Sequence, residues 1–358
     1  MNFQDIAYTK KWSDMSWDQL VKYHSIVRGD GSEMSELMER MQEFEIVSGL
    51  SVKGLGVLPW EEKPKEMLSV IKWMEKELGD GGSYVWLKKE EGRGKKDERL
   101  EVRGERLAVS EEILVMTREE FARTVRCVTA WMEKKEGLLK LPEQFVVVAG
   151  ETFALPTLVG NDDRVVRYGQ YGDMQMYMIG IAGVMNKVAA LNDHKQKEAM
   201  EAGLLDQLRM YRNGFLSCLL LPTVIEEMKV DDVNEKSGYR WVSRRRVVRY
   251  DRGMRERIAE KMDQSPTWLF SMLWHLVQSC LAYYHGRFPE LVSGGKTSKS
   301  QRNTDMYVAK LGTDNAVMKY AGYPSVTAVN DEPMGVILER LDAMAKESKE
   351  WEKARRRK

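Results

Sequence analysis

The sequence predicts a mainly α fold with a small β component, an α+β arrangement of helical units around a central β-hairpin. Three observations carry this. Apolar residues recur at three- and four-residue spacing through most of the chain, as in Met34, Leu37, Met38, Met41 and Phe44, which places them on one face of a helix. Helix starts carry capping residues, Ser16 with Gln19 and Thr117 with Glu120, the pattern in which side chains satisfy the first free N–H groups. A clear hairpin signal occurs once: Phe145–Val148 and Thr152–Leu155 flank Ala149–Gly150–Glu151, closed by Pro142 and Pro156.

The elements follow in order. Residues 1–82 read as an N-terminal helical domain. Its first helix follows Ser16, with Trp17, Leu20, Val21 and Ile26 as the apolar stripe; helices at about 33–48 and 62–77 complete it. Residues 83–117 are a charged hairpin or insertion, since Tyr84–Leu87 and Leu100–Val109 flank the dense run KKEEGRGKKDER. Residues 118–285 form a central helical domain with the β-hairpin at 145–155. Helices are expected there at about 118–136, 174–191, 199–219 and 251–263, and after Pro266, which suits a helix start. Residues 286–305, GRFPELVSGGKTSKSQRNTD, read as a flexible polar loop. Residues 306–358 are a C-terminal helical segment with a charged tail.

Composition narrows the function classes. Hydrophobic residues make up 43% of the 358 and charged residues 31%, enough for a core and a solvated surface. Lys and Arg (56) nearly cancel Asp and Glu (55), so overall charge gives no reason to expect a polyanion. Cys127, Cys218 and Cys280 lie far apart among apolar neighbours and read as buried free thiols of a reducing, cytoplasmic compartment. The opening MNFQDIAYTKKWSDMSW lacks the apolar run of a secretory leader. The most apolar stretches, about 214–225 and 266–284, are too short or too polar to span a bilayer, so no membrane partner is expected.

The chemistry-bearing motifs are weak. Gly294-Gly295-Lys296-Thr297 imitates a phosphate-binding loop, but Glu290 stands at its first glycine position and no apolar helix follows. His24, His194, His275 and His285 have no metal-ligand spacing. Asp162-Asp163 and Asp231-Asp232 suit turns better than acid–base work. The expectation is therefore no catalytic residue, no cofactor and no metal: not an enzyme.

Two features point to binding. Twenty-three methionines, many at helical spacing as in Met174 and Met178, serve as core filler or as a soft groove for a partner helix. From Arg240 to Arg257, eight arginines face only Asp251 and Glu256, a net of +6, with Tyr239, Trp241 and Tyr250 interleaved. This yields an alternative reading as a nucleic-acid-binding segment through Arg244, Arg245, Arg246 and Arg249. The simpler reading is a charged connector and helix face paired with acids such as Glu226, Glu227, Asp231 and Asp232. The C-terminal Lys346–Lys358, net +4, suits the negative pole of a helix.

The order of motifs resembles a family. KKWSDMSWDQLVKYHSIV followed by EFEIVSGLS, IKWMEKEL, LPEQFVVVAGETFALP with VVRYGQYGDMQ, and DEPMGVILERLDAMAKESKEWEKARRRK resemble tailed-phage tail assembly chaperones and neighbouring tail-morphogenesis proteins. Gly172 stands where that family's motif usually has an aliphatic residue. The resemblance implies a non-enzymatic role in phage tail assembly in the host cytoplasm. The partner it implies is a phage tail protein, the tape-measure protein or a tail-tube subunit, with self-association and nucleic acid as the other partner readings. The client-binding candidates that follow are Tyr168, Gln170 and Tyr171, with Trp17 on the first helix and Leu338 and Leu341 on the last.

Overall fold

A computed structural model describes residues 8–26, 33–53, 84–89, 113–133, 137–160, 162–190, 194–231, 239–293 and 306–356. The fold is mainly α with a small antiparallel β component. The chain divides into two compact units, Met1–Lys135 and Glu136–Lys358.

The first unit holds α1 (Trp17–His24), α2 (Glu33–Ser48), α3 (Arg118–Thr129) and the strands β1 (Leu50–Lys53), β2 (Tyr84–Lys89) and β3 (Ile113–Thr117). The capping box forms as expected: Gln19 N donates to Ser16 Oγ at 3.2 Å and Ser16 N to Gln19 Oε1 at 2.9 Å. Gln19 Nε2 also donates to Ile46 O at 2.9 Å, tying α1 to α2. Leu20, Phe44, Val47, Val125 and Val128 make the core, and Trp12 packs edge-on against Tyr23 and Trp131.

The first unit runs to Lys135, and within it α3 packs on α2. Two expectations for this region need correcting. The partner of β2 is Ile113–Thr117, not Leu100–Val109: β2 pairs antiparallel with β3 on one side and β1 on the other. Cys127 is exposed, since it sits two residues past buried Val125 and so about 200° around the helix. The helix expected at 62–77 lies outside the described residues.

The second unit is built on a four-stranded antiparallel sheet in the order β4 (Phe145–Val148), β5 (Glu151–Ala154), β6 (Leu221–Asp231), β7 (Tyr239–Val247). The β4–β5 turn is tight because Ala149 and Gly150 both take positive φ, 50° and 77°. Around the sheet lie α4 (Tyr168–Ala189), α5 (His194–Leu219), α6 (Arg252–Met262), α7 (Thr267–Arg287), α8 (Pro289–Ser293), α9 (Met306–Ala321), α10 (Val326–Asn330) and α11 (Met334–Arg356). The expected loop 286–305 thus begins with the end of α7 and contains α8; residues 294–305, with Gly294–Thr297, lie outside the described residues.

Helices α4 and α5 form an antiparallel hairpin with a reciprocal fit. A Cβ on Gly214 would stand 2.2 Å from the Tyr177 ring, and one on Gly180 would stand 2.8 Å from the Tyr211 ring. Each helix therefore carries Tyr-x-x-Gly, and each tyrosine fills the notch of the other helix's glycine. The apolar side of α7, including Leu269, Met272, Leu273 and Leu276, is fully buried. Phe215 of α5 joins Phe270 and Trp274 of α7 at ring separations of 5.4–5.7 Å. Tyr284 reaches from α7 to donate to Leu158 O at 2.7 Å. Among the described residues, no helix is long and apolar enough to cross a membrane.

Candidate functional site

Tyr168, Gln170 and Tyr171, expected at a client surface, are buried at 7%, 1% and 8% exposure. Five of the six residues of the segment Tyr168–Asp173 have a structural task instead. Tyr168 N donates to Glu332 O at 2.8 Å, and Met334 N to Val166 O at 3.0 Å, stitching the start of α4 to the start of α11. Gly169 allows close approach, since a Cβ there would lie 2.9 Å from that of Asn330. Gln170 accepts from Arg167 N at 3.1 Å and donates to Cys218 O at the end of α5. Tyr171 accepts from Gln175 at 2.6 Å, and burial pushes its hydroxyl up to about 12.

Asp173 closes the segment. Arg252 donates to its two oxygens at 2.8 and 2.7 Å and Tyr250 donates at 2.8 Å. Arg255 stands 3.9 Å from the same carboxylate and lies over the Tyr177 ring at 5.4 Å. Cys218 Sγ is 3.7 Å from the Tyr250 hydroxyl. Burial raises this thiol to about 12, which disfavours the thiolate. The cluster joins α4, α5 and the start of α6.

The remaining candidates separate. Trp17 is half-buried on α1, and Leu338 and Leu341 are half-buried on α11. Asp162 shapes a turn by accepting from Arg164 N at 3.0 Å and Thr157 Oγ1 at 3.1 Å. Glu290 is paired with Lys349. His275 is buried in α7. Among the described residues, no group of three His, Cys, Asp or Glu side chains could hold a metal ion.

The arginine-rich segment is divided by the fold. Its end, Arg252 and Arg255, is bonded to Asp173, while its beginning forms strand β7. This strand pairs with β6 from Thr223↔Val247 to Asp231↔Tyr239. β5 reaches β6 only at Leu221 and Pro222, so beyond these positions β6 and β7 run on together as a two-stranded arm. A ribbon of two strands is marginal by itself.

The arm's side chains are unusual for solvent. Ile225 and Trp241 are 67% and 64% exposed, and Val224, Met228 and Val230 are exposed with them. Arg244, Arg245 and Arg246 are also exposed, as is Arg249 just beyond the strand. Strand alternation puts Val224, Glu226, Met228, Val230, Val242, Arg240, Arg244 and Arg246 on one face, and Ile225, Glu227, Lys229, Trp241 and Arg245 on the other. Glu226 takes Arg246 in an ion pair at 2.7 Å, the pairing of arginines with these acids that the simpler reading of the segment expects. Arg245 lies over the Phe145 ring at 5.3 Å and donates to Thr223 Oγ1 at 3.3 Å. Contiguous exposed apolar groups of this kind are common at interaction sites of proteins.

The sequence names Trp241 and the arginines but not the arm. The missed residues are Val224, Ile225, Met228 and Val230. Their signal is a β-branched run after Pro222, hidden by the adjacent Glu226 and Glu227. Compared with protein-family models, curated proteins and solved structures, the chain matches none.

Proposed function

We propose that the chain is a non-enzymatic assembly protein that holds a partner through the β6–β7 arm, and that the partner is a phage tail protein, either the tape-measure protein or a tail-tube subunit. The observation that supports partner binding is the arm itself, a two-stranded element with Val224, Ile225, Met228, Val230 and Trp241 in solvent. The choice of partner rests on the resemblance of the sequence motifs to tail assembly chaperones. With Tyr168, Gln170 and Tyr171 buried, this reading rests on the arm and not on that motif.

Co-expression with a tagged tape-measure protein tests this. The full chain should co-elute, and the double variant Met228→Lys, Trp241→Ala should lower recovery at least tenfold, about the loss of one interface hot spot. Failure of the unaltered chain to co-elute with either tail protein would overturn the choice of partner.

A second reading, nucleic-acid binding, has the exposure of Arg244, Arg245, Arg246 and Arg249 in its favour. Against it, Arg245 faces away from Arg244 and Arg246, and Arg246 is held by Glu226. A salt titration with a DNA duplex separates the two: nucleic-acid binding requires a steep fall in affinity with salt, and weak, salt-insensitive binding disposes of it.

A further inference from the structure

Helix α4 is apolar on its outer side as well as on its inner one. Tyr177 and Gly180 meet α5, and Ile181 and Val184 are buried. On the opposite side Met176, Ile179, Ala182, Gly183, Asn186 and Ala189 are exposed, Met176 at 45% and Ile179 at 52%. Their spacing of three and four residues makes them one stripe along the helix. From Met174 to Val188 the single charged residue is Lys187, at the rim of that stripe, although charged residues make up 31% of the chain. A surface helix carries its charges on the outer side, and a helix apolar all round is one that is covered all round.

The stripe is graded in size. Met176 and Ile179 at its start are large, whereas Ala182, Gly183, Asn186 and Ala189 are small or short. A Cβ built on Gly183 meets no described atom within 4 Å, so another backbone can approach closely there. Such a stripe fits its own copy when the copy runs antiparallel. With a twofold axis beside Ala182 and Gly183, Met176 stands against Ala189, Ile179 against Asn186 and Ala182 against Gly183, and each large side chain meets a short one. A parallel copy in register would set Met176 on Met176 and Ile179 on Ile179.

We infer that α4 docks on α4 of a second copy of this chain, antiparallel about an axis at Ala182–Gly183, to give a weak dimer. An isologous contact of this kind must be self-complementary, which the grading of the stripe provides. Charge does not oppose it: the two Lys187 side chains stand about 13 Å apart along the axis, beyond the screening length of about 8–10 Å. The stripe is about 20 Å long and offers about 300–400 Å² of helix surface per copy. Two copies together fall short of the roughly 1,200 Å² of a standard interface, so the dissociation constant is expected on the order of 10–100 µM. The inference is independent of the role of the arm.

Sedimentation equilibrium of the full chain from about 2 to 500 µM, a range that brackets this affinity, tests the inference. The average mass should rise from one chain toward two. Ile179→Glu, at an exposed position, should leave the circular dichroism spectrum unchanged and weaken the dimer at least tenfold, about the loss of one interface hot spot. Crosslinking reads the direction of pairing. In a Cys127→Ser background, which removes the exposed native thiol, Gly183→Cys should form an intermolecular disulfide under copper–phenanthroline. Met176→Cys should not, because its counterpart lies about 20 Å away along the axis. A chain that stays monomeric at the highest concentration would overturn the inference, whether a different protein or another part of this chain covers the stripe. So would a dimer that Ile179→Glu leaves intact, or crosslinking at Met176→Cys in place of Gly183→Cys.

Discussion

Arg252, the first residue of α6, grips Asp173 of α4 through both Nε and Nη2, at 2.8 and 2.7 Å. With Tyr250 donating to the same carboxylate at 2.8 Å, this contact fixes where the chain returns to the body of the unit after the arm. It also explains why the arginine-rich segment is not a single patch. Arg252 and Arg255 belong to the fold, while Arg240–Arg246 belong to the arm.

Asp173→Ala removes three hydrogen bonds and leaves the half-buried Tyr250 hydroxyl with only the weakly accepting Cys218 sulfur at 3.7 Å. The expected loss is about 2–4 kcal/mol. Arg252→Ala should cost less, about 1–2 kcal/mol, because the arginine side chain is half exposed. Urea denaturation followed by circular dichroism reads both as lower midpoints; equal losses would mean that the carboxylate is not the hub.

The α4–α5 hairpin makes a prediction of sign. Gly214→Ala gains helix propensity but drives a methyl into the Tyr177 ring, which a Cβ would meet at 2.2 Å. The net expected effect is a destabilisation of about 1–3 kcal/mol. Gly183, on the same hairpin, has nothing within 4 Å of its Cβ position. Gly183→Ala should therefore stabilise by about 0.5–1 kcal/mol. Thermal unfolding of the two variants should move in opposite directions.

Thiol labelling discriminates the cysteines. Cys127 is exposed, whereas Cys218 and Cys280 are buried and burial pushes both thiols up to about 12. A disulfide reagent at neutral pH should consume one thiol per chain quickly and the other two only on unfolding. Cys127→Ser should abolish the fast phase and leave the slow one.

Much of this architecture is legible from local chemistry. The β4–β5 hairpin follows from its bounding prolines and the Ala149–Gly150 turn, the α1 start from Ser16 and Gln19, and the helices of the second unit from apolar spacing. The arm is not legible, for a physical reason. A strand with one face in a core alternates apolar and polar residues, but β6 and β7 have solvent on both faces, so Glu226-Glu227 and Arg244–Arg246 break the period. The segment Tyr168–Asp173 misleads for the opposite reason. Its polar groups look like a recognition surface because their partners, Cys218 O, Glu332 O and Arg252, lie 48 to 164 residues away.

The central claim is that the β6–β7 arm is completed by a partner, and amide hydrogen exchange tests it most directly. In the isolated chain, Val224–Val230 and Arg240–Arg246 should exchange far faster than the buried end of α5 around Phe215, since a two-stranded ribbon opens readily. Adding the tape-measure protein or the tail-tube subunit should slow the arm amides while leaving those of α5 unchanged. An arm as protected as α5 in the isolated chain, or one whose exchange neither partner alters, would contradict the account.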